Sequence, residues 1–122
     1  MYSTGYPGLY KEQLNCEWQI ISPSPDQTIT LEFNDINIFN NQENGACFED
    51  ERIEVYSGTE NNPVAELVDI LCGSSQSMPP ISVSAKIGKH SHATVIFKTG
   101  QRSRTPSPPS GVWNGFWIHW ST

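Results

Sequence analysis

The side chains of this sequence that could do chemistry are three histidines, a short acidic run, three cysteines and a scatter of serines. His90 and His92 stand two apart, a spacing that a strand would put on one face. Two imidazoles on a strand can begin a zinc site, but no third ligand is evident, and a solvated strand edge or turn accounts for them. Nucleophilic catalysis needs a base held beside a nucleophile. No Gly-x-Ser-x-Gly elbow occurs, and Ser74-Ser75-Gln76-Ser77 reads as a turn. The carboxylates of Glu49, Asp50 and Glu51 read as one solvated acidic loop, and such a loop does not by itself make a glycosidase pair. No glycine-rich phosphate cradle precedes a helix. The sequence therefore assigns no catalytic residue, no metal ligand and no cofactor. Cys16, Cys47 and Cys72 form no Cys-x-x-Cys pair, which leaves zinc-ribbon and thioredoxin-like chemistry without support. On the residues alone, one disulfide with a leftover thiol and three reduced buried thiols are equally good accounts.

The elements that must carry these residues are strands. Ile29-Thr30-Leu31-Glu32-Phe33, Ile53-Glu54-Val55-Tyr56 and Phe116-Trp117-Ile118-His119-Trp120 alternate apolar and polar positions. Trp18-Gln19-Ile20, Ile36-Asn37-Ile38 and Thr94-Val95-Ile96-Phe97 are shorter runs of the same kind. Period two over short runs means half-buried antiparallel strands. Breakers such as Ser22-Pro23-Ser24-Pro25-Asp26, Asn61-Asn62-Pro63 and Pro79-Pro80 separate them, and the nine glycines and nine prolines keep helices from extending. Only Val64 to Leu71 is mildly helix-friendly. The pattern predicts an all-β, antiparallel β-sandwich.

Bulk composition narrows the function classes. With 122 residues, 36% of them hydrophobic, the chain suits a single domain over 1–122 with one core. A charged fraction of 16% argues against disorder. The net charge of −6 disfavours nucleic acid and an electrostatic membrane anchor. No run of about 18 apolar residues occurs, so no direct membrane insertion is expected, and no signal peptide is visible. No Asn-x-Ser/Thr sequon occurs either.

Taken in order, the motifs resemble those of the CUB domain family. Tyr6-Pro7-Gly8-Leu9-Tyr10 followed by Cys16-Glu17-Trp18-Gln19-Ile20 is similar to the family's opening. Ile29-x-Leu31-x-Phe33-x-x-Ile36-x-Ile38 matches its hydrophobic ladder. Ile53-Glu54-Val55-Tyr56-Ser57-Gly58 after Cys47, then Leu71-Cys72-Gly73, resemble its middle, and Val95-Ile96-Phe97 with Gly115-Phe116-x-Ile118-x-Trp120 its last strands. The resemblance implies a jelly-roll-like sandwich of about ten strands. It also implies an extracellular setting, secreted or in the ectodomain of a membrane-anchored receptor, and a non-catalytic role in binding other proteins. It further implies a Cys47–Cys72 disulfide, leaving Cys16 outside it with a family partner that would precede Met1.

Many CUB domains hold calcium with one Glu and two Asp. Here Phe39 stands at the family's Glu, Glu51 at its first Asp and Gly100 at its second. Two of three carboxylates are absent, so no calcium is expected at that site. The expected partner is an extracellular protein, met by loops at one end of the sandwich through Glu49, Asp50, Glu51, Arg102, Arg104 and Trp113. The long segment 100–112 departs most from the family. Its Arg102 and Arg104 could pair with carboxylates or sulfates, unless the segment is only a solvated proline-rich loop. Trp18 and Trp120 are expected in the core. Trp117, on the opposite face from Trp120, is expected exposed or packed under a loop. If exposed, it and Trp113 would serve an alternative function, that of a secreted carbohydrate-binding protein.

Overall fold

The computed structural model describes residues 14–40, 43–59, 61–75, 79–84, 88–100 and 115–122. Eight strands occur among them, against the ten or so implied by the family resemblance: β1 (Asn15–Ile21), β2 (Ile29–Ile38), β3 (Arg52–Gly58), β4 (Glu66–Leu71), β5 (Gly73–Ser75), β6 (Ile81–Val83), β7 (His92–Lys98) and β8 (Gly115–Ser121). The Tyr6–Tyr10 motif lies outside the described residues. No helix long and apolar enough to cross a membrane occurs among the described residues.

Every pairing is antiparallel. One sheet runs β1-β7-β3-β4. In the other, β8 runs along one side of β2, while β5 and β6 pair with the two ends of its other side. The helix-friendly stretch became β4 because Leu67, Asp69, Ile70 and Leu71 find backbone partners on β3.

Alternation decides what is buried. Ile29, Leu31, Phe33, Ile36 and Ile38 of β2 point inward, as do Ile53 and Val55 of β3 and Ala93, Val95 and Phe97 of β7. Phe97 from one sheet meets Phe116 from the other edge-to-face, their ring centroids 5.1 Å apart, and Trp18 contacts Phe116 in the same manner at 5.5 Å. Such aromatic pairs add about 0.5–1.5 kcal/mol each beyond their burial, and here they join the two layers.

Two tight places need particular residues. Asp26 takes a positive φ of 64° in the turn after β1, and its carboxylate accepts the Gly88 N–H at 2.6 Å. Aspartate enters this region more readily than most residues that carry a Cβ. Gly58 ends β3 where a Cβ would lie 2.3 Å from the Asn62 carbonyl oxygen. The Thr59–Asn62 turn, closed by reciprocal backbone bonds, crosses that space.

Trp120 corrects the expectation of a core residue: it is 41% exposed, although Phe116 and Ile118 on the same face are buried. It sits near the end of β8, which among the described residues has a strand neighbour on one side only. Trp117 is 40% exposed on the outer face.

Candidate functional site

The loop end of the sandwich is assembled around a disulfide. Cys47 precedes β3 and Cys72 joins β4 to β5; they are bonded, with Cα atoms 5.7 Å apart. This closes a 25-residue separation, which loop entropy values at about 3–4 kcal/mol. Cys16 lies outside the disulfide, half-buried on β1.

Directly after Cys47 the chain makes a tight turn from Phe48 to Glu51, closed by the Glu51 N–H donating to the Phe48 carbonyl at 3.3 Å. Glu49 and Asp50 occupy the tip and are exposed. Phe48 stacks on Phe39 at the end of β2, centroids 5.3 Å apart. Glu51 does not share the exposure of its neighbours: it is 0% exposed, and its Oε1 accepts the buried Gly100 N–H at 3.0 Å. The acidic run is thus split by function. Two carboxylates face outward, and the third braces the turn against the end of β7, so Glu51 is corrected from a partner-facing to a bracing residue.

These residues do not fit the calcium that the family resemblance raises. The Phe39 side chain is buried and carries no oxygen. Gly100 has no side chain and so supplies no carboxylate, and its N–H is turned to Glu51. Glu51 already spends one oxygen on that N–H. Among the described residues no group of three or more His, Cys, Asp or Glu side chains could hold a metal ion.

The histidines are also separated. His90 precedes β7, and its Nδ1 donates to the Ser22 carbonyl at 2.7 Å. His92 begins β7 and is buried, because β7 is a central strand flanked by β1 and β3. This corrects the reading of His92 as solvated, while His90 is half-buried in the segment before β7. Arg102, Arg104 and Trp113 lie outside the described residues. Trp117 is on a sheet face, not in a loop: it stands opposite Asp35 of β2, just beyond a register irregularity between Phe33 and Asp35.

Sequence reasoning missed a buried ionic cluster on the outer face of the first sheet. Alternation along Ile53-Glu54-Val55-Tyr56 puts Glu54 outside, yet it is only 2% exposed. Its Oε2 accepts Arg52 Nε at 2.7 Å and Lys98 Nζ at 3.2 Å, and its Oε1 accepts the Tyr56 hydroxyl at 3.0 Å. Burial pushes the Glu54 carboxyl up, but the bonds from Arg52, Tyr56 and Lys98 outweigh it and hold the group below the ordinary carboxylate value. Tyr56 is pushed up, by burial first and then by donating to Glu54. The i, i+2 spacing of Arg52, Glu54 and Tyr56 was legible; Lys98, contributed by β7, was not.

With this geometry in place, the comparisons identify the class. The CUB domain profile matches residues 1–105. The chain belongs to the CUB domain family. Among solved structures, the CUB1-EGF-CUB2 domain of human MASP-1/3 is similar, with a TM-score of 0.66 and 20% identity. The alignment covers 98% of this chain and 39% of that one, so the chain spans well under half of its structural neighbour. A search of curated proteins found no match. CUB domains are generally extracellular interaction modules without catalysis of their own, and the Cys47–Cys72 disulfide agrees with that setting.

Proposed function

We propose that this chain is a non-catalytic, extracellular protein–protein interaction module of a larger secreted or membrane-anchored protein. It meets its partner through the loop end of the sandwich, without calcium. The observation that carries this reading is the Phe48–Glu51 turn. It presents Glu49 and Asp50 outward while the disulfide on one side and the Glu51–Gly100 bond on the other hold it still. A turn ordered before contact lowers the ordering cost of association. Arg102, Arg104 and Trp113 belong to the same proposed surface. The test is an array of extracellular proteins probed with the domain in calcium and in chelator. Binding that persists in chelator and is lost in Glu49→Gln/Asp50→Asn supports the reading. Binding that vanishes with chelation, or ignores the double variant, overturns it. A second reading, a glycan-binding protein, draws on the exposure of Trp117. Saturable sugar binding lost in Trp117→Ala would support it.

A further inference from the structure

Two asparagines, Asn44 and Asn114, precede a glycine. That pairing carries a chemistry of its own. The backbone nitrogen after an asparagine can attack the side-chain amide carbon, and a side chain on the following residue obstructs the approach. Glycine has none. Asn114 lies outside the described residues, and its glycine is fixed in β8 opposite Asn37. Asn44 stands between β2 and β3, where residues 43–46 are all exposed and belong to no strand.

Two features of its surroundings suit the attack. Gly45 has room around it: its φ is 77°, a region most residues with a Cβ avoid, and a Cβ built there would meet nothing within 4 Å. The Asn44 side chain is also held in a useful direction. Its Oδ1 accepts the Ala46 N–H at 2.9 Å, which bends the amide forward along the chain, toward the Gly45 peptide. Addition at the amide carbon drives negative charge onto Oδ1. A donor already aimed at that oxygen stabilises the charge as it forms.

We infer that Asn44 is a site of spontaneous deamidation and isoaspartate formation. The Gly45 nitrogen gives its proton to water or hydroxide and bonds to the Asn44 amide carbon. The bond from that carbon to Nδ2 breaks, and ammonia leaves. The cyclic imide so formed takes up a water. Opening at the side-chain carbonyl restores the ordinary backbone with an aspartate side chain. Opening at the backbone carbonyl sends the chain through the side-chain carbon and lengthens it by a methylene. Either product carries a carboxylate where an amide stood, and no oxidant or reductant takes part. The new charge adds to a domain that carries −6, and it stands three residues before Cys47, next along the chain to the turn of Glu49 and Asp50. The conversion needs no partner, so it stands apart from the loop-end reading.

The test is incubation of the folded, disulfide-intact domain in neutral and in mildly alkaline buffer. A capped peptide of residues 40–46 serves as the unstructured reference. Peptide mapping by mass spectrometry and isoaspartyl methyltransferase labelling report the site and the products, and ion exchange reports the added charge. An acidic form converted at Asn44, with isoaspartate among the products, is expected to accumulate in the folded domain at least as fast as in the peptide. Its rate should rise several-fold in the alkaline buffer. Asn44→Gln, an exposed change whose cyclisation needs a larger ring, should abolish it and leave the fold unchanged. Gly45→Ala should slow it several-fold, with a thermal melt run alongside because alanine disfavours the positive φ. Conversion of the peptide with none in the folded domain, an acidic form that persists in Asn44→Gln, or modification confined to Asn114 would each overturn the inference.

Discussion

Glu54 and Glu51 are both carboxylates that sequence alone places at the surface, and both are buried. Their partners decide what each contributes. Glu54 has its folded pKa held below the ordinary value of 4.5. A depressed carboxylate contributes stability that is present above the unfolded pKa and is lost as pH falls through the folded one. Urea unfolding from neutral pH down through 4.5 should therefore show wild type losing stability at the acid end. Glu54→Gln should begin less stable and show a shallower fall, since its side chain does not titrate; equal slopes would remove Glu54 from the account. Glu51 works through the backbone: its Oε1 accepts the Gly100 N–H. Glu51→Ala strands the buried Gly100 N–H, at a cost of about 1–3 kcal/mol, whereas Glu51→Gln keeps an acceptor in place. Thermal melts of the two variants should separate accordingly. Neither role was legible locally. Gly100 is 49 residues from Glu51 and Lys98 is 44 from Glu54, and a period-two pattern says which way a side chain points, not what covers it.

At the scale of the element, the strands follow from alternation, while their ends depend on contacts that alternation does not encode. β2 buries five apolar residues on one face, a pattern readable in Ile29 to Ile38. The β3 end at Gly58 is set by the Asn62-Pro63 backbone passing within 2.4 Å of where a Cβ would stand. Gly58→Ala should force that turn away and destabilise by about 1–3 kcal/mol, as overpacking does, read as a lowered urea midpoint. The disulfide ties the segment before β3 to the junction after β4. Cys47→Ser/Cys72→Ser should lower stability by about 3–4 kcal/mol by loop entropy. It should also loosen the Phe48–Glu51 turn, seen as faster amide exchange at Phe48 and Glu51. On β4 the Asp69 carboxylate accepts the Ile70 N–H at 2.8 Å, a local bond between neighbouring residues.

At the scale of the whole molecule, two layers are locked by Trp18, Phe97 and Phe116, and the loop end is braced by protein bonds where its family can use a cation. Thermal unfolding in millimolar calcium and in chelator should give the same midpoint, because Phe39 and Gly100 offer no carboxylate. A rise in calcium of several degrees would mean that another set of oxygens has been overlooked.

The sequence by itself determined the sandwich, its antiparallel strands and the face of β8 on which Trp117 stands, because alternation and turn residues are local signals with a period of two. Its family was legible in the ordered motifs, and whether a loop covers Trp117 was left open. The Cys47–Cys72 pairing was legible only through the family resemblance. Tertiary structure alone decided that Glu51 turns inward to Gly100, that Lys98 completes the Glu54 cluster, that His92 is buried in a central strand and that Trp120 stays exposed. These outcomes depend on which strands become neighbours and where a sheet ends. That is a matter of contacts between residues far apart in the chain, and no local spacing carries it.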